Sequence, residues 1–332
     1  MKILIFEYIT GGGLLGRDLP TSLAAEGELM LTALLSDLSA MPTLTLTVLR
    51  DARLPVPPVG AHDVRWILLN QDDNTDLRFS VELQIADAVW PIAPETSGIL
   101  EHLCRQIETA GKHLLTSPAA AVSLTASKYA TTERLAAFGI PVIASRRWPG
   151  DRIDSPPTLP VVVKPDDGAG CEGIRIIRTV SDWYDFAHTS RHGEWVLQAV
   201  TEGEALSLSG LFANGKAVLL SINQQHIISA DDRYTLRGCA VNLTATDRER
   251  YANLLDTVAS AVPELWGYAG VDLLRTPTGL RVMEINPRLT TAYAGLSRSL
   301  GLNVARMTLD LLETGILPHR LDAGTTRVDV SW

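Results

Sequence analysis

Three oxygen-bearing side chains near the carboxyl end of the sequence have the spacing of a magnesium site. Asp272 lies in one apolar segment, and Glu284 and Asn286 lie two residues apart in the next. Because side chains alternate between the faces of a strand, Glu284 and Asn286 point to one side, whereas Met283 and Ile285 point to the other. Carboxylate and amide oxygens suit Mg²⁺ bound together with phosphates, and they suit neither zinc nor a redox metal.

The segment between these residues predicts a β-hairpin that brings them together. The Pro-Thr-Gly sequence at residues 277–279 is typical of a three-residue hairpin loop. Such a loop pairs Thr276 with Leu280. The same register places Asp272 directly opposite Glu284, with room for one or two cations between the carboxylates. The alternative is a solvated acidic hairpin without a function.

A second group of residues is suited to binding phosphates. Lys164 ends a run of valines, and the loop after it contains three glycines, Gly168, Gly170 and Gly173. Backbone N–H groups of such a loop can cover phosphates, while a lysine at the strand end adds positive charge beside the same oxygens. Lys128 begins a predicted helix, where the helix dipole disfavours a cation, and this weakly indicates an anionic partner. The alternative is a flexible hairpin with an incidental lysine.

Glycines also follow the first apolar run of the chain. Gly11, Gly13 and Gly16 fit G-x-G-x-x-G, the fingerprint of dinucleotide-binding folds. In that fold an acidic residue follows roughly twenty residues later. The nearest candidate, Asp51, is much farther along the chain. We therefore interpret the glycines as a turn at the carboxyl end of a sheet, where ligands of open α/β sheets bind.

Hydrophobic patterns predict the elements that position these residues. Apolar runs predict strands at residues 2–9, 44–49, 64–69, 86–92 and 113–116. Helical spacing at residues 22–38 and 97–110 adds crossover helices, which predicts a parallel α/β sheet. Farther along, the patterns predict strands at residues 161–165, 174–177, 195–200, 206–212 and 217–222. They predict helices there at residues 127–138, 247–262 and 304–314.

Composition limits the class of protein. The chain has 332 residues, 46% of them hydrophobic, so two or three structural units are expected. Its net charge of −9 argues against nucleic-acid or anionic-membrane binding, since no basic stripe neutralises phosphates. The sequence contains neither a signal peptide nor an apolar run of membrane-spanning length, which predicts a cytoplasmic protein. Cys104, Cys171 and Cys239 are far apart and predict free thiols.

From Ser117 onward, the order and spacing of the motifs resemble the ATP-grasp superfamily. The matching features are Lys128, Lys164 with its glycine loop, the segment 195–200 followed by Glu202-Gly203-Glu204, Asp272, and Glu284-x-Asn286-x-Arg288. The resemblance implies an α/β N-terminal domain with a parallel sheet of the pre-ATP-grasp type, residues 1–116. An α+β ATP-grasp domain would follow. Its small subdomain, residues 117–200, would carry the glycine-rich lid, and its large subdomain, residues 201–332, the Mg²⁺ site.

The resemblance also implies which residues bind ATP. The phosphates would contact Lys128 and Lys164 and would be covered by the loop that contains Gly168, Gly170 and Gly173. Adenine would contact the backbone of Gln198, Ala199 and Val200. The family often has Gly-x-Glu after this strand, whereas Gly203 here is followed at once by Glu204. Glu202 and Glu204 therefore compete for the ribose.

Metal-binding and catalytic roles follow from the same resemblance. Mg²⁺, or Mn²⁺ in its place, would be bound by Asp272, Glu284 and Asn286. Lys164 and Arg288 would be catalytic, with Arg288 beside the transferred phosphoryl group and the acyl intermediate.

Two distinctive segments, residues 6–13 and residues 286–296, resemble a narrower family. As a pair they are similar to the tyramine–glutamate ligase family of methanofuran-type coenzyme biosynthesis. Glutamate and a small amine such as tyramine would then be the substrates. The residues implied in substrate binding are Gly11, Gly12, Gly13, Arg288, Thr290 and Tyr293. The oligomeric state is left open, a homo-oligomer included.

The function expected from these observations is ATP-dependent amide formation through an acyl phosphate. Two alternatives remain, a phosphotransferase that stops at a phosphorylated product and a non-catalytic nucleotide-binding module. The substrate requirement distinguishes a ligase from a phosphotransferase, because a ligase needs both acid and amine for sustained phosphate release. The complete set of Asp272, Glu284, Asn286 and Lys164 counts against the second.

Overall fold

The computed structural model describes residues 1–58, 64–148, 155–168, 173–190, 193–319, 321, 324 and 326–332. The amino-terminal part contains a five-stranded parallel sheet with the order β3-β2-β1-β4-β5. Its strands are β1 (Lys2–Glu7), β2 (Thr45–Asp51), β3 (Val64–Leu69), β4 (Ala88–Ile92) and β5 (His113–Leu114). Its helices are α1 (Thr21–Ser39), α2 (Thr75–Ile85) and α3 (Ile99–Thr109).

Strand β1 shows why this sheet is covered on both faces. Its side chains from Ile3 to Phe6 are all buried, as expected for a central strand of a parallel sheet. Ile3 and Ile5 pack with the leucines of α1, whereas Leu4 and Phe6 pack with α2 and α3. The predicted strands and the predicted parallel α/β class are confirmed. Helix α2 lies outside the predicted set.

The second sheet is mainly antiparallel and has ten strands within the described residues, in the order β14-β13-β10-β11-β12-β8-β7-β9-β6, with β15 beside β12. The first four are β6 (Ser145–Trp148), β7 (Val161–Pro165), β8 (Arg175–Ile177) and β9 (Trp195–Ala199). The others are β10 (Glu204–Ala213), β11 (Lys216–Ala230), β12 (Arg233–Val241), β13 (Gly267–Thr276), β14 (Gly279–Asn286) and β15 (Val328–Ser331). The helices are α4 (Ala119–Ala126), α5 (Lys128–Ala137), α6 (Val180–Thr189), α7 (Arg248–Ala261), α8 (Tyr293–Leu300) and α9 (Val304–Thr314).

Strands β6 to β9 and helix α6 form a small layer with its own aromatic core. Trp148, Trp183 and Phe186 are buried there with ring centroids 5.3 to 5.9 Å apart. In the described part of the chain, the ladder between this layer and the remaining strands is one residue pair, Arg175 with Arg233. The α+β class with two subdomains is thereby confirmed, whereas the boundaries at residues 116 and 200 stay predictions.

The large subdomain and the N-terminal domain share one hydrophobic core. Leu34 and Leu38 of α1 belong to the same buried cluster as Tyr293 and Leu296 of α8. This shared core connects the N-terminal domain and the large subdomain more extensively than the single-pair ladder connects the small layer to the large subdomain. Among the described helices, none combines the length and apolarity that a membrane crossing requires.

Candidate active site

The hairpin of β13 and β14 (residues 267–286) brings the predicted metal ligands together, and we call it the metal hairpin. Asp272 lies opposite Glu284, as the sequence predicted. The predicted three-residue loop was wrong, because Thr276 pairs with Gly279 and the loop has two residues. A β-bulge at Met283 then inserts one residue into β14 and restores the predicted register at the carboxylates.

Electrostatics at this hairpin favour a bound cation. Burial, followed by the negative charge of Glu284, raises the pKa of Asp272 to about 8. The amide of Asn286 lies 3.4 Å from Asp272 Oδ2, and Gln225 of β11 also donates to that carboxylate. Two adjacent carboxylates repel each other unless a positive charge lies between them. The oxygen donors therefore fit Mg²⁺.

Lys128, the first residue of α5, contributes positive charge to the same place. Its side chain is buried, and its Nζ lies 3.8 Å from Glu284 Oε2 and donates to the carbonyl oxygen of Gly168. Asp166 stabilises the start of α5, because its carboxylate accepts hydrogen bonds from Ser127 Oγ at 2.7 Å and from the Tyr129 backbone amide at 2.8 Å. The start of α5 thus joins the metal hairpin to the segment after β7.

Lys164 and the predicted lid lie on that segment. Lys164 is buried at the end of β7, two residues before Asp166. Gly168 and Gly173 flank the predicted lid loop, whose Gly170 lies outside the described residues. The side chain of Asp167, just before the loop, accepts a 2.9 Å bond from the amide of Ser97 in the N-terminal domain.

Strand β9 runs antiparallel to β7 and carries the residues predicted to meet adenine. The Gln198 side chain is buried and donates to Ser145 Oγ at 2.8 Å, and the residue pairs with Val162 of β7 and with Ser145 of β6. Contact of this strand with adenine stays a prediction. Ala199 is exposed and Val200 is half-buried. Of the two ribose candidates, Glu204 accepts a bond from Gln224 at 2.8 Å and pairs with Arg275. Glu202 is exposed.

Arg288 faces the N-terminal domain. Its guanidinium donates to Glu95 Oε2 at 2.8 Å and to the carbonyl of Leu289 at 3.1 Å. Although burial acts in the opposite direction, the charges of Glu95, Glu26 and Glu284 raise the pKa of Arg288. Within the described residues, Nε of Arg288 and Oε1 of Glu95 are buried without a hydrogen-bond partner.

The other predicted substrate residues are placed in packed surroundings. Tyr293 is 2% exposed, and its hydroxyl donates to Asp37 Oδ2 of α1 at 2.7 Å. Thr290 Oγ1 bonds to the Tyr268 hydroxyl at 2.8 Å. These contacts favour a packing role, and substrate contact stays a prediction for both residues.

The turn of Gly11 to Gly13 is also tightly packed. A Cβ at Gly11 would lie 2.4 Å from the carbonyl oxygen of Glu7, and Gly12 has a φ of +97°. Both positions therefore require glycine for local reasons. Helix α1 begins at Thr21, well after the glycines, so this turn does not open a helix as a dinucleotide-binding loop does.

Family models match both parts of the chain. The one described as the ATP-grasp domain matches residues 125–292, more than half of the chain, and the one described as the pre ATP-grasp 3 domain matches residues 44–122. The chain belongs to the ATP-grasp family.

Individual relatives agree with this assignment. Tyramine–L-glutamate ligase of Methanocaldococcus jannaschii is 25% identical over 297 residues, which cover 89% of this ATP-grasp protein and 84% of that relative. An ATP-grasp superfamily protein from Archaeoglobus fulgidus has a TM-score of 0.69 at 21% identity, over 100% of this chain and 99% of that chain. L-amino acid ligase from Bacillus licheniformis has a TM-score of 0.65 at 15% identity, over 93% of this chain and 73% of that chain. At these identities the two solved structures support the fold alone.

Two residues of this ATP-grasp protein escaped the sequence-based prediction. Gln225 can be identified only from the sheet order, in which β10 alone separates β11 from β13. Glu95 could have been found, because it follows β4 at the carboxyl end of the parallel sheet, where ligands of such sheets bind.

Proposed function

We propose that this ATP-grasp protein is an ADP-forming carboxylate–amine ligase that joins an acid to an amine through an acyl phosphate. The observation that carries the proposal is the meeting of Lys128, the facing carboxylates of Asp272 and Glu284, and the start of the glycine loop at Gly168. The name of the Methanocaldococcus relative, a tyramine–L-glutamate ligase, supports the same reaction class.

ATP binds between the small and the large subdomain in this proposal. Lys128 and Lys164 bind its phosphates, and the loop containing Gly168, Gly170 and Gly173 covers them. The backbone of Gln198, Ala199 and Val200 binds adenine. Glu202 binds the ribose, because Glu204 is already paired with Arg275 and Gln224.

Asp272, Glu284 and Asn286 hold Mg²⁺ in the proposed site, with Mn²⁺ as the alternative ion. When bound, the metal neutralises negative charge that develops on the transferring phosphoryl group. Lys128 and Glu284 lie within ion-pair distance, so each favours the charged form of the other beside that group.

The proposed reaction has two steps. An oxygen of the substrate carboxylate attacks the γ-phosphorus, and the bond between that phosphorus and the ADP oxygen breaks. The amine nitrogen then attacks the acyl carbon, the bond to the phosphate oxygen breaks, and the nitrogen releases a proton as inorganic phosphate leaves. Neither step needs a covalent protein nucleophile, so positioning and the positive charge of Lys164 and Arg288 suffice.

Glutamate and a small amine such as tyramine are the proposed substrates, in the biosynthesis of a methanofuran-type coenzyme. Gly11, Gly12, Gly13, Thr290 and Tyr293 remain proposed substrate residues, Thr290 and Tyr293 through the packing that holds their segment in place. Small molecules are the proposed partners, the cytoplasm is the proposed location, and a homo-oligomer is a further proposal.

A screen of acid and amine pairs tests this function. The purified protein is incubated with Mg-ATP and each pair, glutamate with tyramine first, and ADP release and product mass are measured. A ligase releases ADP continuously only when acid and amine are both present, and an amide of the expected mass forms. Sustained ADP release with the acid alone would indicate a phosphotransferase and would contradict the proposal.

A further inference from the structure

A buried ion pair between two domains lies beside the proposed reaction centre. Glu95 comes from the N-terminal domain and Arg288 from the segment after the metal hairpin, and their charged atoms are 2.8 Å apart. The side chains are 6% and 12% exposed. Both ends of the pair are incompletely satisfied, because Oε1 of Glu95 and Nε of Arg288 have no hydrogen-bond partner in the part of the chain that the structure describes.

The turn that carries Glu95 also touches the base of the glycine loop. The amide of Ser97, two residues later, donates to the carboxylate of Asp167 at 2.9 Å. Glu95 therefore lies between Arg288 on one side and the segment leading into Gly168 on the other.

The charge of Glu95 is unexpected in a site for anions. ATP, the acid and the acyl phosphate are all negative, and a carboxylate beside Arg288 weakens their binding. Other carboxylates nearby have different partners, since Glu284 lies beside Lys128 and Glu26 accepts a 2.6 Å bond from Thr291. The unpartnered oxygen of Glu95 thus remains for a positively charged ligand.

We propose that Glu95 is the acceptor-binding residue: its Oε1 receives the ammonium group of the amine substrate and takes one proton from it, so that the neutral amine attacks the acyl carbon, while Oε2 keeps its bond to Arg288. This inference rests on the proposed ligase function and names a residue for amine recognition. It gives the N-terminal domain a direct part in selecting a cationic acceptor. Hydrogen bonds from an ammonium to a carboxylate are short and strong in such buried surroundings.

Glu95→Gln tests the role of the charge. The variant keeps an acceptor oxygen for Arg288 and has nearly the same size. With Mg-ATP and glutamate present, two acceptors are compared, tyramine as a cation and hydroxylamine, which is uncharged at neutral pH and converts acyl phosphates to hydroxamates. We expect the KM for tyramine to rise about tenfold or more, whereas kcat/KM for hydroxylamine and the KM for ATP change less than about threefold.

Two further variants serve as controls. Glu101→Gln makes the same change in a partly exposed glutamate of α3 that pairs with Arg105, and should affect neither acceptor. Glu95→Asp keeps the charge and should preserve the preference for tyramine over hydroxylamine. If Glu95→Gln does not fold, Glu95→Ser removes the same charge with a smaller side chain and is compared in the same way.

Equal losses with both acceptors would overturn the proposal, because Glu95 would then act only by holding Arg288. Unchanged kinetics with both would overturn it as well. Failure of the proposed function looks different. In that case the wild-type protein itself forms neither amide nor hydroxamate.

Discussion

The carboxylate of Glu284 faces Asp272 and Lys128 on a half-buried strand face, so its charge matters more for ligand binding than for folding. Glu284→Gln keeps the size of the side chain and one acceptor oxygen. We expect turnover to fall about 100-fold or more, because part of the metal's stabilisation of the transferring group is lost. The melting temperature should change little. Steady-state ADP release at limiting Mg²⁺ and a thermal melt measure the two effects.

The companion variant Asp272→Asn shows whether both carboxylates serve the same cation. The double variant should lose much less than the product of the single losses, since the second change removes an already impaired site. Glu249→Gln on the exposed start of α7 is the matched control. Near-normal turnover of Glu284→Gln at limiting Mg²⁺ would contradict the proposed mechanism.

Glu7 makes folding stability depend on pH. Burial raises the pKa of Glu7 to about 7, although bonds from Thr10 and Ile9 act in the opposite direction. The folded protein therefore holds a proton that the unfolded chain releases above its ordinary pKa of about 4.3. Stability should fall as pH rises between these values, by on the order of 3 kcal/mol at most for this group.

Urea unfolding at about pH 5 and about pH 8 measures this effect. Glu7→Gln cannot titrate, so the difference between the two free energies of unfolding should be smaller than in the wild type. Glu101→Gln, at a partly exposed position of α3, should keep the wild-type difference. An unchanged difference in Glu7→Gln would show that other groups determine the pH dependence.

At the scale of elements, the metal hairpin shows how far local patterns reach. Alternation of side chains predicted the facing of Asp272 and Glu284, but turn chemistry led to a loop one residue too long. The bulge at Met283 compensates for the shorter loop, and no pattern in the sequence marks it. The register at a site can therefore be predicted correctly even when the predicted loop length is wrong and the bulge is not predicted.

The reasons why the sequence-based prediction missed two helices can be identified. Helix α6 begins with a capping box of Thr179 and Asp182, a start signal that would have located it. Helix α8 lies in the segment whose Thr290 and Tyr293 the family resemblance assigns to substrate binding. Its role becomes clear only from its partner α1, which is remote in sequence and contacts it through Asp37.

Helix α8 provides a test of packing against substrate binding. Tyr293→Phe removes one bond to Asp37, while Ser297 Oγ continues to donate to that carboxylate at 2.7 Å. We expect a loss of about 1 kcal/mol in the free energy of unfolding. The KM values for ATP and for the acceptor should change by similar small factors. A selective rise in the acceptor KM would instead assign Tyr293 a part in substrate binding.

For the whole molecule, the sequence predicted the two fold classes and their order but not the contacts between domains. Alternating strands and helices determine a parallel sheet through local periodicity. The Glu95–Arg288 pair, in contrast, joins residues 193 positions apart, and no periodicity links them. Such contacts depend on how the units pack, so the pairing of Glu95 with Arg288 could not be predicted, although the place of Glu95 after β4 marks it as a candidate ligand-binding residue.

The same packing predicts which unit moves when nucleotide binds. The N-terminal domain and the large subdomain share a core, whereas the described ladder to the small layer is the single pair of Arg175 and Arg233, supported by an exposed ion pair between Arg178 and Asp232. Adding Mg²⁺ and a non-hydrolysable ATP analogue should therefore lower amide hydrogen exchange mainly in residues 161–199. Exchange in α1 and α8 should change little. Glu284→Gln should weaken the protection at the same ligand concentration, because it impairs the metal site without touching the ladder. Protection spread evenly over all three units, or concentrated between α1 and α8, would contradict closure by the small layer.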